Sequence, residues 1–367
     1  MGDLRDLLVS EWPRLRPGAP RVTGAIVAGS DRSPSAKVTL ILFGEDGAPA
    51  AAVKIARDEE AERAIRAEHD ALTELRSLPS PVVRAAAPTP LALRRVAGRL
   101  ALIMSPAAGR PMITDYHTPG HTADPARVAN DFEAAGQWLG SFQLETREAE
   151  RPLDAEALER GVETVLARYR SEIGWSRGEE ALFDDVRERA SALLGLSMPL
   201  AGVHGDYWMG NLLRQAGRVS GVVDWELSRR AGLPFRDVYK LPLSYGFYLD
   251  RAHGAGDVPG HPGYEASASR WRRHGTWRNL AGFGYAFFGE GWFPELVRRW
   301  ILERLSDLGL PPSVNPVFFP VFLAEQAMTL PDPVFRDGYR SILVALSKER
   351  SSSWLWDDAV QVGSRSA

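Results

Sequence analysis

Apolar residues recur with two different periods along this chain, and the switch from one to the other sets its fold class. Short apolar runs broken by turn residues fill the first hundred positions. Val22–Gly29, Ala36–Phe43 and Ala50–Ala56 read as three antiparallel strands in a meander, joined by turns at Ser30–Ser35 and Gly44–Pro49. From Arg57 the spacing becomes helical: Ala61, Ile65, Leu72 and Leu75 share one face of the run Asp58–Ser77, with acidic residues crowded into its first turn, where the dipole favours them. Two more strands, Ala92–Gly98 and Arg99–Met104, precede a Pro- and Gly-bearing connection at Ser105–Gly109. Beyond it the long patterns Asp131–Glu145 and Glu156–Ile173 are helical. A small β-rich unit, residues 1–105, followed by a larger helical one, residues 106–367, makes an α+β chain with a candidate hinge and cleft at the break.

Composition narrows the function. With no Cys among 367 residues, thiolate nucleophiles, thiolate metal sites and disulfide scaffolds are out. No window approaches the roughly 18 apolar residues of a membrane span, and Met1–Ser10 lacks the basic start and apolar core of an export signal. The expectation is a cytoplasmic protein with no membrane partner. A net charge of −3 argues equally against a nucleic-acid partner, which calls for a basic excess. Among the 44 basic residues only Lys37, Lys54, Lys240 and Lys348 are lysines. A Lys in a strand of such a chain is a candidate for a role that needs a compact ammonium; a codon bias toward Arg accounts for the same scarcity.

The helical half is interrupted once, between Gly202 and Asp237, by a polar loop, a turn at Gln215–Gly217 and a strand ending in Val222-Val223-Asp224. Here His204-Gly205-Asp206, Asn211 and Asp224 form a hard-oxygen set suited to Mg²⁺, which prefers one or two carboxylates plus substrate phosphates. Asp206 is then left to face an acceptor. Taken singly, Asp206 as a turn cap and Asn211 as a helix cap explain these residues as well. No G-x-S-x-G elbow and no HExxH is present.

The blocks HGDYWMGNLL and VVDWE resemble, in order and spacing, the catalytic loop and metal-binding strand of the aminoglycoside phosphotransferase and choline kinase family, relatives of the protein kinases. The resemblance implies a bilobal protein-kinase-like fold, with a nucleotide-binding N-terminal lobe and a helical C-terminal lobe carrying the catalytic loop (202–226) and the acceptor-binding region. It implies Asp206 as the carboxylate that takes or orients the acceptor hydroxyl proton, Asn211 and Asp224 as Mg²⁺ ligands, and His204 as a residue that holds the loop. Lys54 resembles the strand lysine that meets the α- and β-phosphates, with Glu68 as its helix partner and Glu60 and Glu62 as alternatives. Gly29 and Ser30 open a turn that resembles the phosphate-covering loop, and Met104, Ser105 and Ala107 fall on the linker whose backbone meets the base. Gln143 stands where the family commonly has a structural His.

The implied activity is transfer of the γ-phosphate of ATP or GTP to a small hydroxyl-bearing acceptor, a metabolite or an antibiotic. An intact Lys, Asp, Asn and Asp set weighs against the other class of reading, a nucleotide-binding pseudokinase serving as a regulatory module. A protein kinase proper is disfavoured because no Ala-Pro-Glu follows Asp224. On the acceptor side, thirteen aromatics crowd between Tyr245 and Trp300, most of them expected in the core. From Lys240 onward 13 Asp and Glu face 14 Lys and Arg, with Arg270, Arg272, Arg273 and Arg278 clustered, which leans away from a polycationic aminoglycoside and toward a neutral or anionic acceptor. Solvated helix faces explain the same Arg cluster. Choline or ethanolamine stays open, since aromatics also suit a quaternary ammonium.

Overall fold

Five antiparallel strands, β1 (Val22–Ser30), β2 (Lys37–Gly44), β3 (Pro49–Ala56), β4 (Pro90–Val96) and β5 (Arg99–Met104), form one sheet in the order β1-β2-β3-β5-β4. The strands lie within a residue or two of their expected positions. The last hairpin, however, folds so that β5 pairs with β3 and β4 becomes an edge. The computed structural model describes residues 2–30, 37–249, 258–329 and 332–357.

Alternation along the strands gives the sheet two different faces. Val38, Leu40, Leu42, Val53, Ile55 and Ile103 pack on one side against Leu8, Trp12 and Leu15 of an N-terminal helix, α1 (Gly2–Leu15). The periodicity at the start of the chain did not announce this helix. Lys54 alternates with Val53 and Ile55 and so stands on the opposite face, which α2 (Glu59–Ser77) covers. Asp58 caps α2 by accepting from Ala61 N at 2.8 Å, and its buried stripe is Ala61, Ile65, Glu68, Leu72 and Leu75.

The described chain divides into two compact units. The first is the chain up to Pro111 together with His204–Asp206 and Gly210–Arg230; the second is Met112–Val203, Tyr207–Met209 and the chain from Ala231 onward. After a short helix, α3 (Pro81–Ala86), and a two-residue strand, β6 (Arg110–Pro111), the first unit is completed by the hairpin β7 (Leu212–Gln215) and β8 (Arg218–Val222), β6 pairing with β7. Its turn has Ala216 at φ 50° and Gly217 at φ 78°, both left-handed, as a two-residue hairpin connection requires.

The second unit is mostly helical. The helix expected at Asp131 starts earlier, at Pro125, because Asp124 caps it and Pro125 occupies its first turn, where a missing N–H costs nothing. The run expected as one helix from Glu156 to Ile173 is Ala155–Leu158 and Thr164–Glu172 joined by a π turn, Glu159–Glu163, with Gly161 inside the widened turn. Of the thirteen aromatics from Tyr245 to Trp300, nine are buried and Tyr248, Trp277, Phe288 and Trp292 are half-buried. Two of the four clustered arginines are paired locally, Arg270 with Glu349 and Arg272 with Glu265 at 2.9 Å. Gln143 is buried and donates to Pro234 O at 3.4 Å. No described helix is long and apolar enough to cross a membrane.

Candidate active site

Lys54 sits in the middle of the sheet, paired by register with Thr39 on one side and Leu102 on the other, and only 5 % of it is exposed. Its Nζ donates to both oxygens of Glu68, at 2.5 and 2.7 Å, and to Asp224 Oδ1. Glu68 is the partner because it alone among the α2 acids lies on the buried stripe; Glu60 is exposed and Glu62 turns outward to Arg95 at 2.9 Å. The Trp225 N–H also reaches Glu68 Oε1, at 3.4 Å, which ties α2 to the segment after β8.

Asp224 follows β8 with φ 65°, a left-handed conformation uncommon outside glycine. That turn ends the strand and swings the carboxylate back to Lys54. Beside it a second ion pair joins Lys37, the first residue of β2, to Glu226. Glu68, Asp224 and Glu226 bring one oxygen each within 4.8 Å of one another, opposed by the two ammonium groups. Burial alone would lower the Lys54 pKa, but the charges of Asp224, Glu68 and Glu226 and the hydrogen bond to Asp224 outweigh it, and the ammonium is held well above its ordinary value. Burial pushes Glu68 up; the Lys54 charge opposes the rise and the neighbouring carboxylates add to it. Burial would raise Asp224 as well, yet the charge and hydrogen bond of Lys54 prevail and hold it below the usual carboxylate range.

The residues of the expected catalytic loop are locked from two sides. His204, fully buried, accepts from the Asp206 N–H at its Nδ1 (3.2 Å), so its Nε2 carries the proton and donates to Val223 O at 2.9 Å. The ring stands edge-on to Trp225, with centroids 4.6 Å apart. Asn211 Nδ2 donates to Asp206 O and Oδ2 at 2.9 and 3.0 Å, and its backbone carbonyl accepts from Val223 N at 3.0 Å. Asn211 thus links Asp206 to the strand that delivers Asp224. Gly205 has φ 87°, and a Cβ there would lie 2.3 Å from Leu227 O. Glycine is obligatory at this turn.

The linker residues are placed by the same unit. Met104 ends β5 and is buried, paired with Ala52 and Pro90. Ser105 is clamped to Thr89 by reciprocal bonds: its N–H donates to Thr89 O and its Oγ accepts from Thr89 N, both at 2.8 Å. Ala107 lies against Gly221 of β8, where an added Cβ would sit 3.0 Å from that of Ala107. Gly29 and Ser30 close β1, their backbones paired with Thr39 and Val38; Asp31–Ser33 of the expected phosphate-covering turn lie outside the described residues.

Lys54, Glu68, Asp224, Asp206, Asn211 and His204 are therefore brought together in one unit. Sequence reasoning missed the Lys37–Glu226 pair as part of the cluster. Its one signal was the scarcity of lysine, since two of the four lysines are spent on these ion pairs.

Among known proteins, a profile of the phosphotransferase enzyme family matches residues 39–266. No curated protein sequence matches the chain. Two solved structures of a thermostable mutant of aminoglycoside phosphotransferase APH(4)-Ia are similar in fold. The ternary complex with AMP-PNP and hygromycin B has 11 % identity and a TM-score of 0.56, covering 95 % of this chain and 99 % of that one. The complex with ADP and hygromycin B has 11 % identity and a TM-score of 0.55, covering 98 % and 100 %. These likenesses give the fold as that of the kinase-like phosphotransferases, and because the profile spans well over half of the sequence, the chain belongs to the phosphotransferase enzyme family.

Proposed function

We propose that the chain is a Mg²⁺-dependent small-molecule kinase that transfers the γ-phosphoryl group of ATP, or of GTP, to a hydroxyl of a metabolite or antibiotic. The observation that carries this reading is the buried Lys54 ammonium gripped by Glu68 and Asp224 in the unit that also holds Asp206 and Asn211. The AMP-PNP and ADP in the two similar structures favour an adenine nucleotide.

Phosphoryl transfer passes through a loose transition state, so catalysis is positioning and neutralisation of charge. Lys54, fixed by Glu68, presents a permanent positive charge to the phosphates. Asp224, with Glu226 beside it, and the amide oxygen of Asn211 are the hard-oxygen donors that would hold Mg²⁺, which when bound would supply further positive charge against the phosphate oxygens. Asp206, held by Asn211 and by the His204 ring, orients the acceptor hydroxyl and takes its proton as the new O–P bond forms and the bond to the β-phosphate oxygen breaks.

The test is ADP release over a panel of hydroxyl metabolites and antibiotics, run with wild type and Asp206→Ala side by side. Asp206→Ala is expected to slow turnover by about 10²- to 10⁴-fold, the usual contribution of a positioned acid or base, while the melting temperature stays within about 2 °C. Chelation of divalent metal should abolish turnover. A wild type that binds ATP yet transfers phosphate to nothing, water included, would replace this reading with that of a regulatory pseudokinase.

A further inference from the structure

The sheet of the first unit ends on two very different edges. On β4 the free edge is guarded: the strand opens at Pro90, skips Leu91 in its register with β5, and exposes Arg94 and Arg95. Arg16 Nη1 also donates to the carbonyl of the skipped Leu91, at 3.0 Å. Proline, a bulge and charge are the devices that keep an edge from pairing with another chain.

The opposite edge, β1, carries neither charge nor proline in the nine residues Val22–Ser30. Among the described residues nothing pairs with its outer side. Its register with β2 skips Thr23 and Ala28, and both lie outside the regular stretch Gly24–Val27. Within that stretch Ile26 is 55 % exposed and Val27 42 %, two of only seven large apolar side chains so exposed among the described residues. A cleft of about 510 Å³ opens beside them between α1 and β1, walled by Val9, Ser10, Ala25 and Phe43. Ala25 belongs to the core under α1, so by alternation Val27 shares that face, while Ile26 shares the other with its register partner Ile41.

We infer that this edge is the contact between two copies of the chain, β1 pairing antiparallel with the β1 of a second copy about a two-fold axis through Ile26. In a continuous sheet that axis stands perpendicular to the strands, so each residue faces the same side as the residue it meets. Centred on Ile26, the pairing sets Ile26 against itself and Val27 against Ala25 of the second copy, where the cleft beside Ala25 receives the valine. Both exposed side chains are then covered by apolar ones. A centre one residue earlier would set Ile26 against Gly24 and Val27 against Thr23, and cover neither. The occupant is a second copy because the uncharged edge complements itself and offers a foreign strand no charge to read. Nine residues at about 3.3 Å each make an edge about 30 Å long, which covers less than the roughly 800 Å² per partner of a stable dimer. The dimer is therefore weak and fills only at high concentration.

Sedimentation equilibrium of the full chain from about 1 to about 500 µM tests this. Wild type should pass reversibly from monomer to dimer across the range. Ile26→Lys sets two ammonium groups face to face at the axis and should weaken the dimer about tenfold or more. Its melting temperature at the lowest concentration should stay within about 4 °C of wild type. Because the chain has no Cys, single-cysteine variants read the register. Ile26→Cys should give a disulfide-linked dimer under mild oxidation, since residues directly opposed across a strand pair lie close to bonding separation. Leu144→Cys, at a still more exposed position of the second unit, should stay monomeric. A wild type monomeric throughout would overturn the inference and leave the edge to an extended segment of a different protein. So would a dimer indifferent to Ile26→Lys, or crosslinking no faster at Ile26→Cys than at Leu144→Cys. Should Ile26→Lys fail to fold, the two cysteine variants decide alone.

Discussion

At Lys54 the sheet buries an ammonium that only its partners make tolerable. Removing one member of such a pair strands the other in low dielectric, at a cost of about 3–5 kcal/mol. Lys54→Met should therefore melt well below wild type at pH 7, in addition to losing nucleotide turnover. Without the ammonium, burial and the neighbouring carboxylates hold the folded pKa of Glu68 above its unfolded value. The stability missing at pH 7 should thus be largely present below about pH 4.5 and be lost as pH rises through the folded value. Thermal melts of the variant from pH 4 to 8 check this, and a deficit that does not shrink toward acid pH would refute it. Gly205→Ala places a Cβ against Leu227 O in a left-handed turn and should cost about 2 kcal/mol or more by denaturant unfolding. Lys54 was legible by a local mark, a Lys between Val53 and Ile55 in a strand, and Glu68 by the family resemblance, which its place on the buried stripe with Ile65 and Leu72 explains. Lys37 and Glu226 carry none. They meet across 189 positions, and nothing in the neighbourhood of either names the other.

Among elements, the strands and α2 could be read because half-burial imprints a period of two or 3.6, while α1 escaped notice. Pro13 lies inside it, where a helix is not expected to continue, and its apolar residues Leu8, Trp12 and Leu15 acquire meaning only against the sheet face they cover. The strand order was equally hidden, since β4 and β5 differ in which one meets β3 and a hairpin pattern does not say. Trp12 is 3 % exposed and its indole N–H donates to Pro20 O at 2.8 Å. Trp12→Ala should lower stability by about 3–5 kcal/mol, with nucleotide affinity falling only in step with the folded fraction. A different constraint operates where the helix Pro333–Glu349 meets Tyr264–Arg272. Burial would raise the Glu349 carboxyl, but hydrogen bonds from Arg270 and His274, the latter at 2.8 Å, hold it below its ordinary value. A depressed folded pKa contributes stability that is complete above the unfolded value, near 4.5, and disappears as pH falls through the folded one. Wild type should therefore lose melting temperature on acidification below about pH 4.5 more steeply than Glu349→Gln; parallel acid limbs in paired melts would remove the clamp from the account.

Over the whole molecule, the first unit is not a contiguous piece of chain. Lys54 needs Asp224, 170 positions later, and the hairpin β7–β8 joins β6 only after the chain has passed through the first five α-helices of the second unit. Loop closure over such a span must be met before the ion pairs form. The segment up to Pro111 on its own would carry Lys54 and Glu68 without Asp224, leave β6 unpaired and bare the linker at Ala107–Gly109 that β8 otherwise covers. This architecture predicts that a fragment of residues 1–111 lacks a cooperative melt and fails to bind Mg·AMP-PNP, whereas the full chain does both. A fragment ending at Arg230 restores every segment of the first unit but truncates the second; it should regain sheet signal in circular dichroism while remaining less stable than the full chain. If residues 1–111 alone melt cooperatively, the interleaved segments are additions to an already stable sheet, and the charge cluster around Lys54 is not part of what holds that sheet together.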